Sequence, residues 1–200
     1  YLVVLTSPAE ARGRFGFPGS FAEVTFDNGR YRLGEHGSTS QLLENTVRFE
    51  QAPFDRGDPK LRPYLDYGVT RSVLASTIPP DFPNGAKVLG EMWRQTGRPA
   101  VDGVLRLDPA ALSRLLMFTG PVQVSGRAEP LEADNLEQFI LIDQYREFTA
   151  AQAPRREALD EVAEVTFERL ETVDLPTPRR LVSIFAPLAS RQHFHVALFD

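Results

Sequence analysis

The stretch Val101-Asp102-Gly103-Val104-Leu105-Arg106-Leu107-Asp108-Pro109-Ala110-Ala111-Leu112 confines the fold more tightly than any other part of the chain. It reads as a strand that stops at an aspartate and turns at once into a helix. Val101, Val104, Leu105 and Leu107 make the strand largely apolar, the pattern of a strand covered on both faces. Asp108 suits the N-cap, where a side-chain oxygen accepts a helix N–H. Pro109 suits the first helical position, where its missing N–H costs nothing. Upstream, Pro83 to Gln95 sets Ala86, Leu89, Met92 and Trp93 at helical spacing, and Gly97 ends that run. Downstream, a helix from Pro109 to Phe118 leads through Gly120-Pro121 to a strand at Val122 and Val124. Strands and helices that interleave in this way predict an α/β fold, three layers deep, with a mixed central sheet between helices.

The rest of the chain fits that frame. Residues 1–5 predict a buried strand, followed by a loop from Thr6 to Pro18. Ser20 to Phe26 alternates with period two, Asp27-Asn28-Gly29 is a hairpin signal, and Arg30 to Leu33 predicts the returning strand. Ser40 to Val47 predicts a short helix, and 48–68, rich in Pro, Asp and Gly, an irregular surface excursion. Val69 to Leu74 predicts another short strand. Helices are expected from Ala133 to Phe148, Arg155 to Val173 and Pro178 to Ala189, and a last strand from His193 to Phe199. The whole of 1–200 reads as one domain. It opens directly on an apolar strand and is read as an excised piece, whose upstream part can hold a membrane anchor or signal.

Composition narrows the function classes. With 42% hydrophobic and 24% charged residues, a 200-residue chain buries a sizeable core. The net charge of −5 argues against a nucleic-acid partner, which needs a basic face. Lys60 and Lys87 are the only lysines, so the cationic groups are almost all guanidiniums, which can bind phosphate through paired hydrogen bonds. Zero cysteines exclude thiol chemistry, disulfides and zinc–thiolate sites.

Several segments carry a resemblance. Leu2-Val3-Val4-Leu5 with Pro8-Ala9-Glu10-Ala11-Arg12-Gly13, then Gly16-Phe17-Pro18-Gly19-Ser20-Phe21, resembles the opening of the bacterial domain-of-unknown-function family 4012. Pro80-Asp81-Phe82-Pro83, the Val101–Leu112 block, Thr119-Gly120-Pro121-Val122 and Ala133-Asp134-Asn135 extend it over nearly the whole chain. That family is in turn distantly similar to the LytR–CpsA–Psr enzymes. Those are membrane-anchored extracytoplasmic proteins that move glycan polymers from a polyprenyl pyrophosphate carrier onto peptidoglycan, using arginines and aspartates that hold pyrophosphate and magnesium. The chain departs from them in the site. Phe17-Pro18-Gly19-Ser20 stands where those enzymes carry an Arg-Ser-Asp signature, and Leu33-Gly34-Glu35-His36 offers no counterpart to their later Arg-Asp pair.

Candidate site residues follow from position and from this resemblance. Arg12 and Arg14 sit in a Gly-containing loop just after the first strand, where ligands gather in open α/β sheets, and two guanidiniums there can clamp a diphosphate. Solvation or a neighbouring carboxylate is the plainer role for both. Arg71 is a third cationic candidate. Asp81, ahead of Phe82-Pro83, suits an N-cap, or alternatively an oxygen ligand for magnesium. Asp108 suits a cap and Asp102 a turn. Asp143, Arg146 and Glu147 share a helix face, where intrahelical pairing accounts for Asp143 with Arg146. His193 and His195 alternate on a strand and lack an assignable third metal ligand. Ser20 has no Gly-x-Ser-x-Gly context, and Trp93 and the phenylalanines read as core.

The expected function is an extracytoplasmic envelope domain that binds a polyprenyl-pyrophosphate-linked or phosphorylated glycan and acts as a phosphotransferase or pyrophosphatase. In it Arg12, Arg14 and Arg71 neutralise the pyrophosphate and Asp81 holds magnesium. Membrane association would come through a segment outside this chain. The alternative is a non-catalytic binding or scaffolding module that keeps the fold without the active site. A cytoplasmic enzyme built on a phosphate loop or dinucleotide fingerprint lacks its motif, because Gly13 and Gly16 precede a strand rather than a helix.

Overall fold

The run of four apolar residues that opens Leu2–Ser7 (β1) can be buried only as an interior strand, and β1 is the middle strand of a five-stranded sheet. In this computed structural model every residue is described except Ala11, Arg14, Gly29, Leu175, Asp200 and the stretches 45–58 and 149–151. Of residues 43, 44 and 152–154 only the backbone is described. The other strands are β2 (Phe17–Asp27), β3 (Arg30–Ser38), β4 (Gly103–Leu107) and β5 (Phe194–Leu198). Their order is β3-β2-β1-β4-β5. Only β1 and β4 run parallel; the β1–β2, β2–β3 and β4–β5 pairs are antiparallel. The expected hairpin is present, with Asp27 paired to Arg30 and Asn28 at a φ of 49°, a left-handed conformation that asparagine tolerates.

The principal helices are α1 (Phe82–Gln95), α2 (Pro109–Thr119), α3 (136–147), α4 (Gln152–Thr172) and α5 (Pro178–Ser190). Asp108 caps α2 as expected, its Oδ1 accepting from the N–H of Ala111 at 3.2 Å. Alternation along β1 splits its side chains between two cores. Leu2 and Val4 face Phe21, Val104 and the α1 residues Leu89, Met92 and Trp93. Val3 and Leu5 face Leu112 of α2, Phe139 of α3 and Val162 and Phe167 of α4. The sheet is thus covered on both sides, an α/β fold in three layers. Trp93 anchors the first core, with its ring edge-on to Phe21 at 5.6 Å and its indole N–H donating to the Pro99 carbonyl at 3.0 Å.

Three expectations on secondary structure fail. Val69 to Leu74 is no strand; a turn precedes a short 3-10 helix at Val73–Ala75, because Gly68 at a φ of 75° and Ser72 as N-cap bend the backbone. Val122 and Val124 form no strand, and only an isolated bridge joins Val122 to Leu131. The third expected helix is not uniformly α: Phe139–Asp143 is a π-helical turn between the α segments Leu136–Gln138 and Gln144–Glu147. Of the short helix expected at Ser40 to Val47, Gln41–Glu44 is helical, Ser40 is in a turn, and 45–47 lie outside the described residues. Part of the expected 48–68 excursion also lies outside them, and Arg62–Tyr67 within it is a 3-10 helix. Among the described residues no helix is long and apolar enough to cross a membrane.

Candidate functional site

The loop after β1 turns back on itself at two glycines. Gly13 has a φ of 48°, and a Cβ on it would lie 2.3 Å from the Ile78 carbonyl oxygen. Gly16 has a φ of 76°, and a Cβ there would lie 2.3 Å from the carbonyl oxygen of Ser7. Both positions need glycine for conformation and for space. Thr77 Oγ1 donates to the Gly16 carbonyl at 2.7 Å, and Arg12 Nη1 donates to the Leu74 carbonyl at 3.2 Å, so this loop is tied to the 74–78 segment.

Beside that loop, at the carboxyl end of β1, lies a cleft of about 370 Å³. Its walls come from five places: Ser7 at the end of β1, Glu10 in the loop, Phe17, Gly19 and Ser20 of β2, Ser38 to Ser40 at the end of β3, and Leu74. The far wall is Gln144 and Tyr145 of α3 with Arg155, Arg156, Leu159 and Asp160 of α4. The strand ends are fastened to one another. Thr39 Oγ1 donates to the Pro18 carbonyl at 2.6 Å, and the hydroxyls of Ser38 and Ser40 bond at 2.9 Å. Two smaller depressions share these walls. One of about 120 Å³ runs past Asp160 to His36, Glu164 and Phe167. The other, about 60 Å³, is mostly apolar and runs past Ser7 and Ser20 to Leu5, Leu112, Ile140 and Val162.

The charged groups of the cleft are organised. Arg155 reaches Glu10 at 3.5 Å and lies over the Tyr145 ring at 4.7 Å. Burial raises the Tyr145 hydroxyl above its ordinary pKa, and the Glu10 carboxylate adds to the effect. Burial likewise raises the Asp160 carboxyl and Glu164 adds to it, against the opposing pull of Arg156 and of a hydrogen bond with Ser20. Arg156 is exposed at the rim. Arg155 and Arg156 are the fourth and fifth residues of α4, whose first turn carries no acidic residue. Cations in that position work against the helix dipole.

A second polar assembly lies at the carboxyl end of β4. Arg106 is 3% exposed and donates through Nε to Thr6 Oγ1 at 2.8 Å and through Nη1 to the Gln192 carbonyl at 2.7 Å. Burial lowers its pKa, opposed by the charge of Asp108, whose Oδ2 lies 3.8 Å away. The same Oδ2 accepts from His193 Nδ1 at 2.7 Å. A carboxylate only accepts, so this nitrogen carries the proton. His193 precedes β5, and its Asp108 contact ties the end of the chain to the start of α2.

Of the sequence candidates, Arg12, Arg71 and Asp81 are not among the residues that line the cleft. Arg12 packs over the Phe17 ring at 5.1 Å and bonds to Leu74, so it supports two wall residues from behind. Arg71 is exposed in the turn where its N–H donates to the Gly68 carbonyl at 2.9 Å. Asp81 begins α1 without capping it through its side chain; Asn84 Nδ2 donates to its Oδ2 at 2.8 Å, and Lys60 Nζ is 3.9 Å away. Arg14 lies outside the described residues. Among the described residues no three His, Asp or Glu side chains converge as a metal would require. His195 packs against the rings of Phe15 and Phe82. Asp143 is 3.9 Å from Arg146, and Glu147 pairs instead with Arg127.

The family model described as "Protein of unknown function (DUF4012)" matches residues 1–145. No curated protein and no solved structure matches the chain. The matched residues contain the sheet and loop walls of the cleft and, on its far wall, Gln144 and Tyr145. Arg155, Arg156 and Asp160 of α4 lie beyond them.

Proposed function

We propose, for a chain that belongs to the DUF4012 family of proteins of unknown function, that the cleft at the carboxyl end of β1 binds a phosphorylated glycan or one linked to polyprenyl pyrophosphate. The observation that carries this reading is the pairing of Arg155 and Arg156 with the hydroxyls of Ser7, Ser20, Ser38, Thr39 and Ser40 around one cleft. Guanidiniums bind phosphate oxygens through charge-assisted hydrogen bonds, and hydroxyls suit both phosphate and sugar oxygens. At about 370 Å³ the cleft is of a size for a small polar ligand. The apolar depression that adjoins it past Leu112, Ile140 and Val162 is suited to the first isoprene units of a carrier. The resemblance to LytR–CpsA–Psr enzymes points to the same ligand class, and with it to an extracytoplasmic, membrane-anchored setting.

Binding is the core of the reading, and phosphotransfer is its extension. In that extension an acceptor hydroxyl bonds to the phosphorus that carries the glycan, the pyrophosphate bridge breaks and polyprenyl phosphate leaves. Asp160 takes the acceptor's proton, a role suited to a carboxyl whose pKa burial has raised. No step runs through a cation at Asp81, whose carboxylate is engaged by Asn84 and Lys60. Asp81 and Arg12 then serve the scaffold rather than the reacting group.

Titration calorimetry with geranyl pyrophosphate, a short soluble analogue, tests the binding reading. We expect saturable binding that Arg156→Ala weakens by about tenfold, the scale of one hydrogen bond to a charged group. Arg156 is exposed, so its removal leaves the core intact. Binding that is absent, or indifferent to Arg156, contradicts the reading.

A further inference from the structure

Gln144 is the odd residue of the cleft wall. It is 1% exposed, and its amide oxygen has no hydrogen-bond partner among the described residues. Leaving a buried polar atom unpaired costs about 1–3 kcal/mol, so native chains rarely keep one without a use. The π-helical turn explains how it arises. Gln144 N–H donates to the Phe139 carbonyl five residues back. In an α-helix that N–H would serve Ile140 instead. Here the Ile140 carbonyl accepts from the side-chain Nε2–H of Gln144. This bond fixes the amide orientation, because the flipped form would set two oxygens against each other. The amide oxygen is left buried and without a donor, in a residue that lines the cleft.

A second unpaired atom belongs to another residue of the cleft lining. Ser7 Oγ, at the end of β1, is buried and has no partner among the described residues. Gln144 Oε1 and Ser7 Oγ come from opposite walls, helix and sheet. They do not bond to each other. One can only accept, while the other can accept or donate. A neutral hydroxyl suits either atom, since it can donate to the amide oxygen and can donate to or accept from the serine.

We infer that Gln144 and Ser7 form a hydroxyl-recognising subsite, which makes the ligand a polyhydroxylated anion rather than a bare phosphate or pyrophosphate. The inference rests on the anion-binding reading of the cleft and sharpens it. The guanidiniums hold the phosphoryl group, and the Gln144–Ser7 pair selects what is attached to it. A site built to hydrogen-bond a hydroxyl rejects analogues that lack one, because its own buried groups are then left unpaired. Two sources share this chemistry, a sugar ring and a glycerol unit.

Calorimetry on the 200-residue chain with inorganic pyrophosphate, glucose 1-phosphate and glycerol 3-phosphate separates the outcomes. We expect one of the two hydroxylated probes to bind the wild-type chain at least tenfold tighter than pyrophosphate, which tells sugar from glycerol. Ser7→Ala and Gln144→Met should each remove about tenfold of that affinity, and Gln144→Met should leave pyrophosphate within twofold. Gln144→Met also strips the Ile140 carbonyl of its partner. The wild-type chain therefore supplies an independent readout: the side-chain amide proton resonances of Gln144 should shift with the hydroxylated probe and not with pyrophosphate. Pyrophosphate binding as tight as both hydroxylated probes, equal losses for all three in Gln144→Met, or unmoved Gln144 resonances overturn the subsite while the anion cleft stands. A wild-type chain that binds none of the three overturns both.

Discussion

Asp160 is where electrostatics and ligand chemistry meet at the scale of one residue. Its carboxyl sits between the exposed Arg156 and the acidic Glu164, and burial raises its pKa. The folded chain therefore holds this proton more tightly than the unfolded chain. By linkage, stability falls as pH rises from the ordinary aspartate range through the raised folded value. Asp160→Asn, which cannot ionise, should melt higher than the wild type at neutral pH, with the gap narrowing in acid. Thermal unfolding measured across that range checks it, and a gap that widens in acid would contradict the assignment. The same proton bears on binding, since a neutral Asp160 no longer repels a phosphate. Affinity for an anionic probe should rise as pH falls through the raised value, and the rise should vanish in Asp160→Asn.

At the scale of the element, the π-helical turn of α3 does the most to shape the cleft. Such a turn carries one residue more than regular α winding and leaves a backbone carbonyl to a side chain. Deleting the exposed Ile142 should restore regular winding, keep the Gln144 N–H on the Phe139 carbonyl and hand the Ile140 carbonyl to a backbone N–H, so that the Gln144 amide loses the bond that orients it. The variant is expected to stay folded by circular dichroism and to lose affinity for hydroxylated anions. Retained affinity would show that the turn does not set the site. The loop after β1 is equally constrained: Gly16→Ala should lower the melting temperature, because the Ser7 carbonyl occupies the space its Cβ needs. Much of the secondary structure is legible from local pattern. β1 announces itself by its apolar run, α2 by Asp108-Pro109, and the β2–β3 hairpin by Asp27-Asn28-Gly29. The π-helical turn is not legible, since its apolar residues keep a near-helical period. Val122 and Val124 mislead because β-branched residues favour strands, whereas here they are buried beneath α3 and α4 without a pairing partner beyond Leu131.

For the whole molecule, the β1–β4 parallel pair decides where ligands can sit. Its carboxyl ends bring Ser7 and Asp108 to one edge of the sheet, the edge at which α/β folds place their sites. The buried Arg106–Asp108–His193 assembly holds that edge together, joining β4, the start of α2 and the approach to β5. Arg106→Met should destabilise the fold by about 3–5 kcal/mol in denaturant unfolding, the scale of removing one partner from a buried ion pair. A cost below about 1 kcal/mol would show that the assembly does not secure the edge. The edge was legible in the sequence, but the groups that line it were only partly so. By sequence position Arg12 and Arg71 are cations near β1 and before α1. The cleft takes its guanidiniums from α4, more than 140 residues beyond β1 in the sequence, and only the folded chain brings them there. One signal was present in the sequence: two adjacent arginines at a helix start run against the dipole, and such a placement asks for an anion or a carboxylate nearby.

The cleft reading is tested most directly by mapping amide chemical shifts of the 200-residue chain during titration with geranyl pyrophosphate. The shifts should gather at Ser7, Glu10, Ser20, Ser38, Tyr145 and Asp160, on both walls of the cleft. Shifts confined to Arg71, Asp81 and their neighbours, or no saturable shifts at all, would contradict it.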